Sequence, residues 1–298
     1  MNFYTAKQIA EKWDMSVQLV RRYCKEGRIK SAFQYEGQWL IPENAKAPDA
    51  CDEEEKRTPP LLKKMLYQME RNNHVGIYEY VQVNLAYSSS RMASNRLTRQ
   101  QVQEIYRTNR ISLSFEATKV DDIIEIANHF MCMRYVLEQA EVPLTTDFIK
   151  RVHYLLVHGT YSDKRNKVSV GAFRSTTAKW GVKADRISKE LAMLLQNYEK
   201  KSVDLEQILD FHVRFEYIHP FDDYNGRVGR LLMIKECLRH NVDPFIIDDK
   251  RSGAYKRGIA NWDTDPEMLK TVAYEAQKRF QGKLEVCQLM QYHRPPNR

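Results

Sequence analysis

The chain has few of the features that would take it out of the class of ordinary soluble proteins. Its longest uninterrupted apolar runs, such as Leu231-Leu-Met-Ile234, fall far short of the roughly 20 residues that span a bilayer, so no membrane partner is expected. The N-terminal MNFYTAKQIAEKWD lacks the apolar centre of a secretory leader. The five cysteines, at 24, 51, 132, 237 and 287, form no CxxC pair, which argues against a disulfide framework and a zinc cluster alike. A reducing cytoplasm is the expected setting. There is no internal repeat. Acidic residues are in deficit, 39 Asp/Glu against 47 Lys/Arg, leaving a net charge of +8. That excess favours acidic partners such as nucleic acid or nucleotides, or merely aids solubility. What is present is 298 residues, 43% hydrophobic and 29% charged, enough for a sizeable core and more than one domain.

The sharpest compositional break is NAKAPDACDEEEKRTPP, residues 44–60, acidic, proline-flanked and without apolar period, which reads as a linker. Before it, in 1–43, Thr5 is placed to cap a helix carrying Ile9, Ala10 and Trp13, and Ser16 to cap a second, VQLVRRYCKEG, closed by Gly27. RIKSAFQYEGQWLIP then reads as two short strands around Tyr35-Glu-Gly37. Two capped helices and a hairpin are the parts of a winged helix-turn-helix. The candidate DNA contacts are Arg21, Arg22 and Lys25 on the second helix, with Arg28 and Lys30 at the start of the wing. Residues 1–48 hold eight Lys/Arg against five Asp/Glu. The alternative is that these cations are a solvated helix face. The stretch YTAKQIAEKWDMSVQLVRRYCKEGRI resembles the excisionase/MerR-type DNA-binding modules, a likeness covering nearly all of residues 3–42. It implies double-stranded DNA as a partner; dimerisation would suit a palindromic site.

After the linker, apolar residues recur at three- and four-residue spacing in 61–73, 120–140, 145–159, 184–201, 204–218 and 225–240, so the body reads as mainly helical. Only VSVGAFRSTTAKWGVK, residues 168–183, reads as a β-hairpin.

The densest chemistry is HPFDDYNGRVGR, residues 219–230. Pro220 stops the preceding helix near His219. Asn225, a good cap residue, starts the next, so the loop delivers backbone N–H groups to a helix N-terminus, a ready anion site. Arg227 and Arg230, three apart, share one helix face and lean back toward that end, where two guanidinium forks can grip outer phosphates. Gly226 removes a side chain where phosphate would approach. Asp223 has the type and place to hold Mg²⁺ beside phosphate oxygens. His219 can take the proton of an attacking hydroxyl, and Phe221 anchors the loop inward. The order of parts points to nucleotidyl or phosphoryl transfer. The plain alternative has the arginines paired with Asp222, Asp223 or Glu216 and His219 merely ending a helix. His212 reads as a core or loop-supporting histidine.

The same residues resemble the signature of Fic proteins, HPFxxGNGRxxR, matching at His219, Pro220, Phe221, Asn225, Gly226, Arg227 and Arg230, with Asp223 in a slot where that family has Asp or Glu. The likeness extends over roughly residues 62–281 and includes DDIIEIANHF, VGAFR and ILDFHVRFEYIHPF. It implies a mainly α architecture, an all-helical Fic domain with a β-hairpin flap preceded by the small winged helix-turn-helix. Its parts would be N-terminal helices at 61–111, a catalytic domain at 112–285 and a tail at 286–298. It also implies transfer of AMP from Mg·ATP to a Ser, Thr or Tyr hydroxyl of a target protein. His219 would be the base, Asp223 the metal ligand, Asn225 and Gly226 the phosphate contacts, and Arg227 and Arg230 the outer-phosphate grips. Gly171, Phe173 and Arg174 would belong to the flap that docks the target strand.

Two residues depart from the family pattern. Tyr224 stands where the family has glycine. Either it is held at positive φ, at about 1–2 kcal/mol, with its ring near the phosphates, or it stays at negative φ with the ring outward. Upstream, YSSSRMASNRLT, residues 87–98, is similar to the segment of Fic proteins that carry their own inhibitory helix. Ser89 is kept, but the inhibitory glutamate is Ala93 and the next glycine is Ser94. A rival is Ser112 with Glu116 in SLSFEA. A second reading of the whole chain is therefore a catalytically impaired Fic domain serving as the nucleotide-sensing half of a DNA-binding regulator.

Overall fold

The computed structural model describes residues 3–71, 76–112, 118–199 and 203–292, apart from 14, 16, 26, 28, 36, 46, 48–57, 166, 177 and 179, and apart from the side chains of 19, 22 and 288–292. The chain divides into two compact units, Met1–Thr58 and Pro59–Arg298. Most of the expected linker lies outside the described residues, as do Ser16, Arg28 and Glu116 and the side chain of Arg22.

In the first unit a short strand β1 (Phe3–Thr5) leads into α1 (Ala6–Trp13) and α2 (Val17–Lys25), followed by β2 (Phe33–Tyr35) and β3 (Gln38–Pro42). Thr5 starts α1 reciprocally: its N–H donates to Gln8 Oε1 at 2.9 Å, and the Gln8 N–H donates back to its hydroxyl at 3.4 Å. Gly27 follows α2 at φ +69°, where a side chain would be strained. The hairpin pairs Tyr35 with Gln38. β1 adds antiparallel to β3, Phe3 opposite Pro42, a strand the sequence pattern does not announce because three residues carry no alternation. Ile9, Ala10, Val20, Tyr23, Cys24, Ile29 and Ile41 close a small core. Arg21, Lys25 and Lys30 are exposed.

The second unit is helical: α3 (Pro60–Glu70), α4 (Ile77–Arg91), α5 (Arg99–Thr108), α6 (Val120–Glu138), α7 (Thr146–Val157), a single turn α8 (Tyr161–Lys164), α9 (Ile187–Tyr198), α10 (Leu205–Ile218), α11 (Asn225–Arg239), α12 (Ser252–Ala260) and α13 (Pro266–Tyr292). Helix α11 is its axis. Leu231, Leu232, Met233, Ile234, Cys237 and Leu238 are buried around its whole circumference, as a helix apolar on every side must be, and α10, α6, α7, α4 and α3 pack about it. Even its Lys235 is buried, donating to the Ala140 and Val142 carbonyls and paired with Glu236 at 3.0 Å. Among the described residues no helix is long and apolar enough to cross a membrane.

The expected hairpin at 168–183 is not one: its described residues form turns and bends without a strand. Their backbone groups bond elsewhere. The Arg174 N–H donates to the Pro220 carbonyl at 3.0 Å and the Val182 N–H to the Ile218 carbonyl at 3.3 Å. Ser169 and Gly171 donate to Asp222 and to His153 Nδ1. The N–H groups so engaged are not available for a ladder within the segment.

Candidate active site

The loop 219–224 joins the C-terminus of α10 to the N-terminus of the axial helix. Helix α10 opens with a reciprocal cap between Asp204 and Gln207 and ends at His219, whose φ of 51° turns the chain out of the helix. The loop is fastened from below. Phe221 is fully buried and stacks on His153 with ring centroids 3.8 Å apart. The Asn225 amide spans the Phe221 backbone, accepting from its N–H at 3.0 Å and donating to its carbonyl at 2.9 Å. Asn225 is thus the first helical residue rather than the cap, and its side chain closes the loop instead of facing a ligand. The residue in the cap position is Tyr224, with no side-chain cap bond.

Tyr224 has φ +68°, the left-handed region that glycine tolerates best. Its ring does not lie outward but is 4% exposed. The phenol donates to Glu125 Oε1 at 2.9 Å, and the Arg227 guanidinium lies over the ring at 3.4 Å. Its backbone N–H, which an anion would use, donates instead to Asp223 Oδ1 at 2.6 Å. Arg227 is also not free to grip: Nη1 donates to Glu125 Oε1 at 2.9 Å and Nη2 to Asp223 Oδ1 at 3.0 Å. Asp223 itself stays largely exposed. Glu125, on α6, is the member that sequence reasoning missed. A signal was there: Asp122, Glu125 and His129 recur at helical spacing, and Asp122 and His129 are buried, a polar stripe on a helix otherwise packed in the core.

Arg230 reaches α4, donating from Nε to the Ser89 hydroxyl at 2.9 Å and from Nη2 to the Ser89 carbonyl at 3.1 Å. A Cβ on Gly226 would sit 2.9 Å from its Nη1, so the glycine makes room for that guanidinium. The segment 87–98 ends α4 at Arg91 and turns through Ser94 at φ 73°. Ala93 and Met92 line the same cleft as the loop. The rival position Ser112 bonds Glu104 at the far end of α5.

The cleft has a volume of about 240 Å³ and collects His219, Asp222, Asp223, Gly226, Arg227 and Arg230, with Tyr255 and Lys256 of α12 on its opposite side. Arg174 is a buried clamp rather than a docking group: it donates to the His219 carbonyl at 2.8 Å, to that of Thr176 at 2.8 Å and to that of Val182. Phe173 packs on Phe221, and Gly171 sits at φ +69° against Tyr154. Burial, and then the Arg174 charge, hold the His219 imidazole below its ordinary pKa, which keeps it neutral, as a proton acceptor must be. Beneath the cleft Glu216 is largely buried, and burial pushes its carboxyl up to about 7 against the pull of Arg230. His212 bonds the Tyr255 hydroxyl at 2.5 Å and supports the loop from the core. The geometry unites a neutral imidazole, a solvent-facing carboxylate with one oxygen engaged, a helix N-terminus and two guanidinium groups, one of them held by carboxylates.

Residues 143–237, which include the loop, match the model of the Fic/DOC family. Curated relatives include the protein adenylyltransferase Fic of Drosophila grimshawi, 25% identical over 181 residues, and that of Culex quinquefasciatus, 26% identical over 177 residues. The matches cover 57% of this chain but 35% and 34% of the relatives, so the chain spans about a third of their length. In fold, a Fic domain containing signaling protein from Bacteroides thetaiotaomicron superposes with a TM-score of 0.60 at 17% identity, over 76% of this chain and 94% of that one. Fic-1 from C. elegans does so with a TM-score of 0.56 at 16% identity, over 77% and 72%. Residues 143–237, the loop among them, are thus similar to the Fic/DOC family, and the chain shares the fold of the solved Fic structures.

Proposed function

We propose that the Fic domain is a protein adenylyltransferase, moving AMP from Mg·ATP to a Ser, Thr or Tyr hydroxyl of a target protein. The observation that carries this is the neutral, partly buried His219 at the edge of a cleft whose floor is the open N-terminus of α11. His219 takes the hydroxyl proton as that oxygen attacks the α-phosphorus, and pyrophosphate leaves. The N–H groups of the first turn and Arg230 bind the phosphates. Asp223 suits a magnesium ion, since its carboxylate is largely exposed at the cleft and Mg²⁺ takes one or two carboxylates with phosphate oxygens and water. That ion would neutralise phosphate charge. The test is protein-linked label from α-labelled ATP. We expect His219→Ala to lower it at least about 100-fold, the usual worth of a positioned base, with nucleotide affinity unchanged; equal labelling by the variant would refute the assignment. Label arriving from the γ-phosphate would show phosphate transfer instead.

A second reading is favoured by Tyr224 and Arg227, both engaged within the loop: an impaired domain that senses nucleotide for the first unit. That unit we read as binding double-stranded DNA, through Arg21 and Lys25 on the exposed face of α2 and Lys30 beyond it. A copy on each half of a palindrome is the expected arrangement. Nucleotide binding without transfer would favour this reading. For the DNA contact, the expected outcome is affinity that falls steeply with salt, with a shallower slope in Arg21→Ala/Lys25→Ala. A salt-independent signal would exclude it.

A further inference from the structure

We propose that Tyr224 and Glu125 form a latch that withholds Arg227 and Asp223 from ligand, and that an incoming polyphosphate opens it. The inference deepens the nucleotide reading above and rests on it for the identity of the opener. Its geometry is a closed set of contacts. One oxygen of Glu125 receives both the Tyr224 phenol and Arg227 Nη1, each at 2.9 Å. Arg227 Nη2 holds Asp223 Oδ1, which also receives the Tyr224 N–H. The guanidinium carbon lies 3.4 Å from the centre of the phenol ring.

Three groups that a Mg·nucleotide would use are thereby satisfied by one another: the arginine fork, the loop N–H and one oxygen of the metal-binding carboxylate. A phosphate gains Arg227 only by displacing Glu125, whose negative charge also repels it. The tyrosine matters twice. Its hydroxyl shares the carboxylate oxygen and so fixes Glu125 on the arginine, and its ring covers one face of the guanidinium. Glycine at 224 would supply neither. The contact also compensates for a loss elsewhere. Ala93 brings no carboxylate to Arg230, which donates to Ser89 and lies by the Tyr255 ring, whereas Arg227 is paired with two carboxylates, so restraint of the loop falls on the first arginine rather than the second. Glu125 is a positioning residue in this scheme, acting through Arg227.

The test is calorimetric titration of the full chain with sodium tripolyphosphate and separately with Mg·ATP, comparing the parent with Tyr224→Phe, Glu125→Gln and the double variant. Thermal melts alongside establish that each is folded; Tyr224→Phe keeps the ring and removes only the hydroxyl. Releasing a charge-assisted contact should tighten tripolyphosphate by ~5- to 10-fold in each single variant, and the double variant should gain less than the two effects combined. Unchanged or weaker binding of both anions in the two single variants overturns the latch, because Glu125 would then orient Arg227 toward phosphate rather than withhold it. Failure of every form to bind either anion overturns latch and nucleotide reading together. Tighter tripolyphosphate with no binding of Mg·ATP upholds the latch and removes the nucleotide reading alone.

Discussion

At the scale of single residues, the tyrosine at φ +68° sets the terms. An L-residue there is strained by about 1–2 kcal/mol. Against this stand a buried aromatic ring, worth ~1.5–3 kcal/mol, and a hydroxyl on a carboxylate, worth ~1.5–3 kcal/mol. The side chain therefore outweighs the strain it causes. Tyr224→Gly is expected to lower stability by about 1–5 kcal/mol, seen as a lower urea midpoint, while raising label transfer from α-labelled ATP. Adding Ala93→Glu to that variant should suppress transfer again, since residue 93 lines the cleft that holds Arg230. A glycine variant no more active than the parent would show that Tyr224 does not restrain catalysis. That His219, Asp223, Arg227 and Arg230 would meet in one cleft was legible in residues 219–230 because one loop and the helix turn after it carry them all. What each arginine touches was not legible, since Glu125 and Ser89 come from helices 102 and 141 residues upstream of their partners, and no local pattern encodes such a pairing.

At the scale of elements, legibility followed periodicity. Helices α6, α7, α9 and α10 declare themselves by apolar spacing on one face. Helix α4 does not, because Ser88, Ser89, Ser90, Glu79 and Gln82 are buried beside its apolar residues, so neither face is polar enough to mark a period. The stretch 168–183 failed for the opposite reason: an alternating sequence whose hydrogen bonds go to the neighbouring loop. Glycines carry element-scale information too. A Cβ on Gly258 of α12 would meet the Leu269 Cα at 2.9 Å and its N at 3.0 Å, backbone atoms of α13 that cannot turn aside. Gly258→Ala should therefore destabilise the second unit by about 1–3 kcal/mol, despite alanine's better helix propensity, and thermal denaturation would reveal it. An unchanged midpoint would mean that α12 slides on α13 freely.

At the scale of the whole molecule, buried histidines govern the response to acid. Burial above all pushes His129 and His212 down to about 3 and His153 down to about 4. Below about pH 6.5 the unfolded chain takes up protons that the native chain refuses. Stability therefore falls as pH falls from about 6.5 toward 4, by about 1.4 kcal/mol per pH unit for each histidine once well below 6.5. Glu216, raised to about 7, works the other way between about 4.5 and 7, because the native chain holds a proton that the unfolded one releases; it offsets only part of the three. Urea midpoints that decline across this window are expected, and a flat profile would mean that the histidines are protonated in the native state. The axial helix has a consequence in the time domain. Helix α11, enclosed on every side, exchanges its amide hydrogens with deuterated solvent only when the whole unit opens, whereas the strandless segment over His219 exchanges through small local openings. Within that segment the hydrogen-bonded amides, such as those of Ser169, Gly171, Arg174 and Val182, are expected to be the slow ones. The reactive loop thus hangs between the most and the least protected parts of its domain.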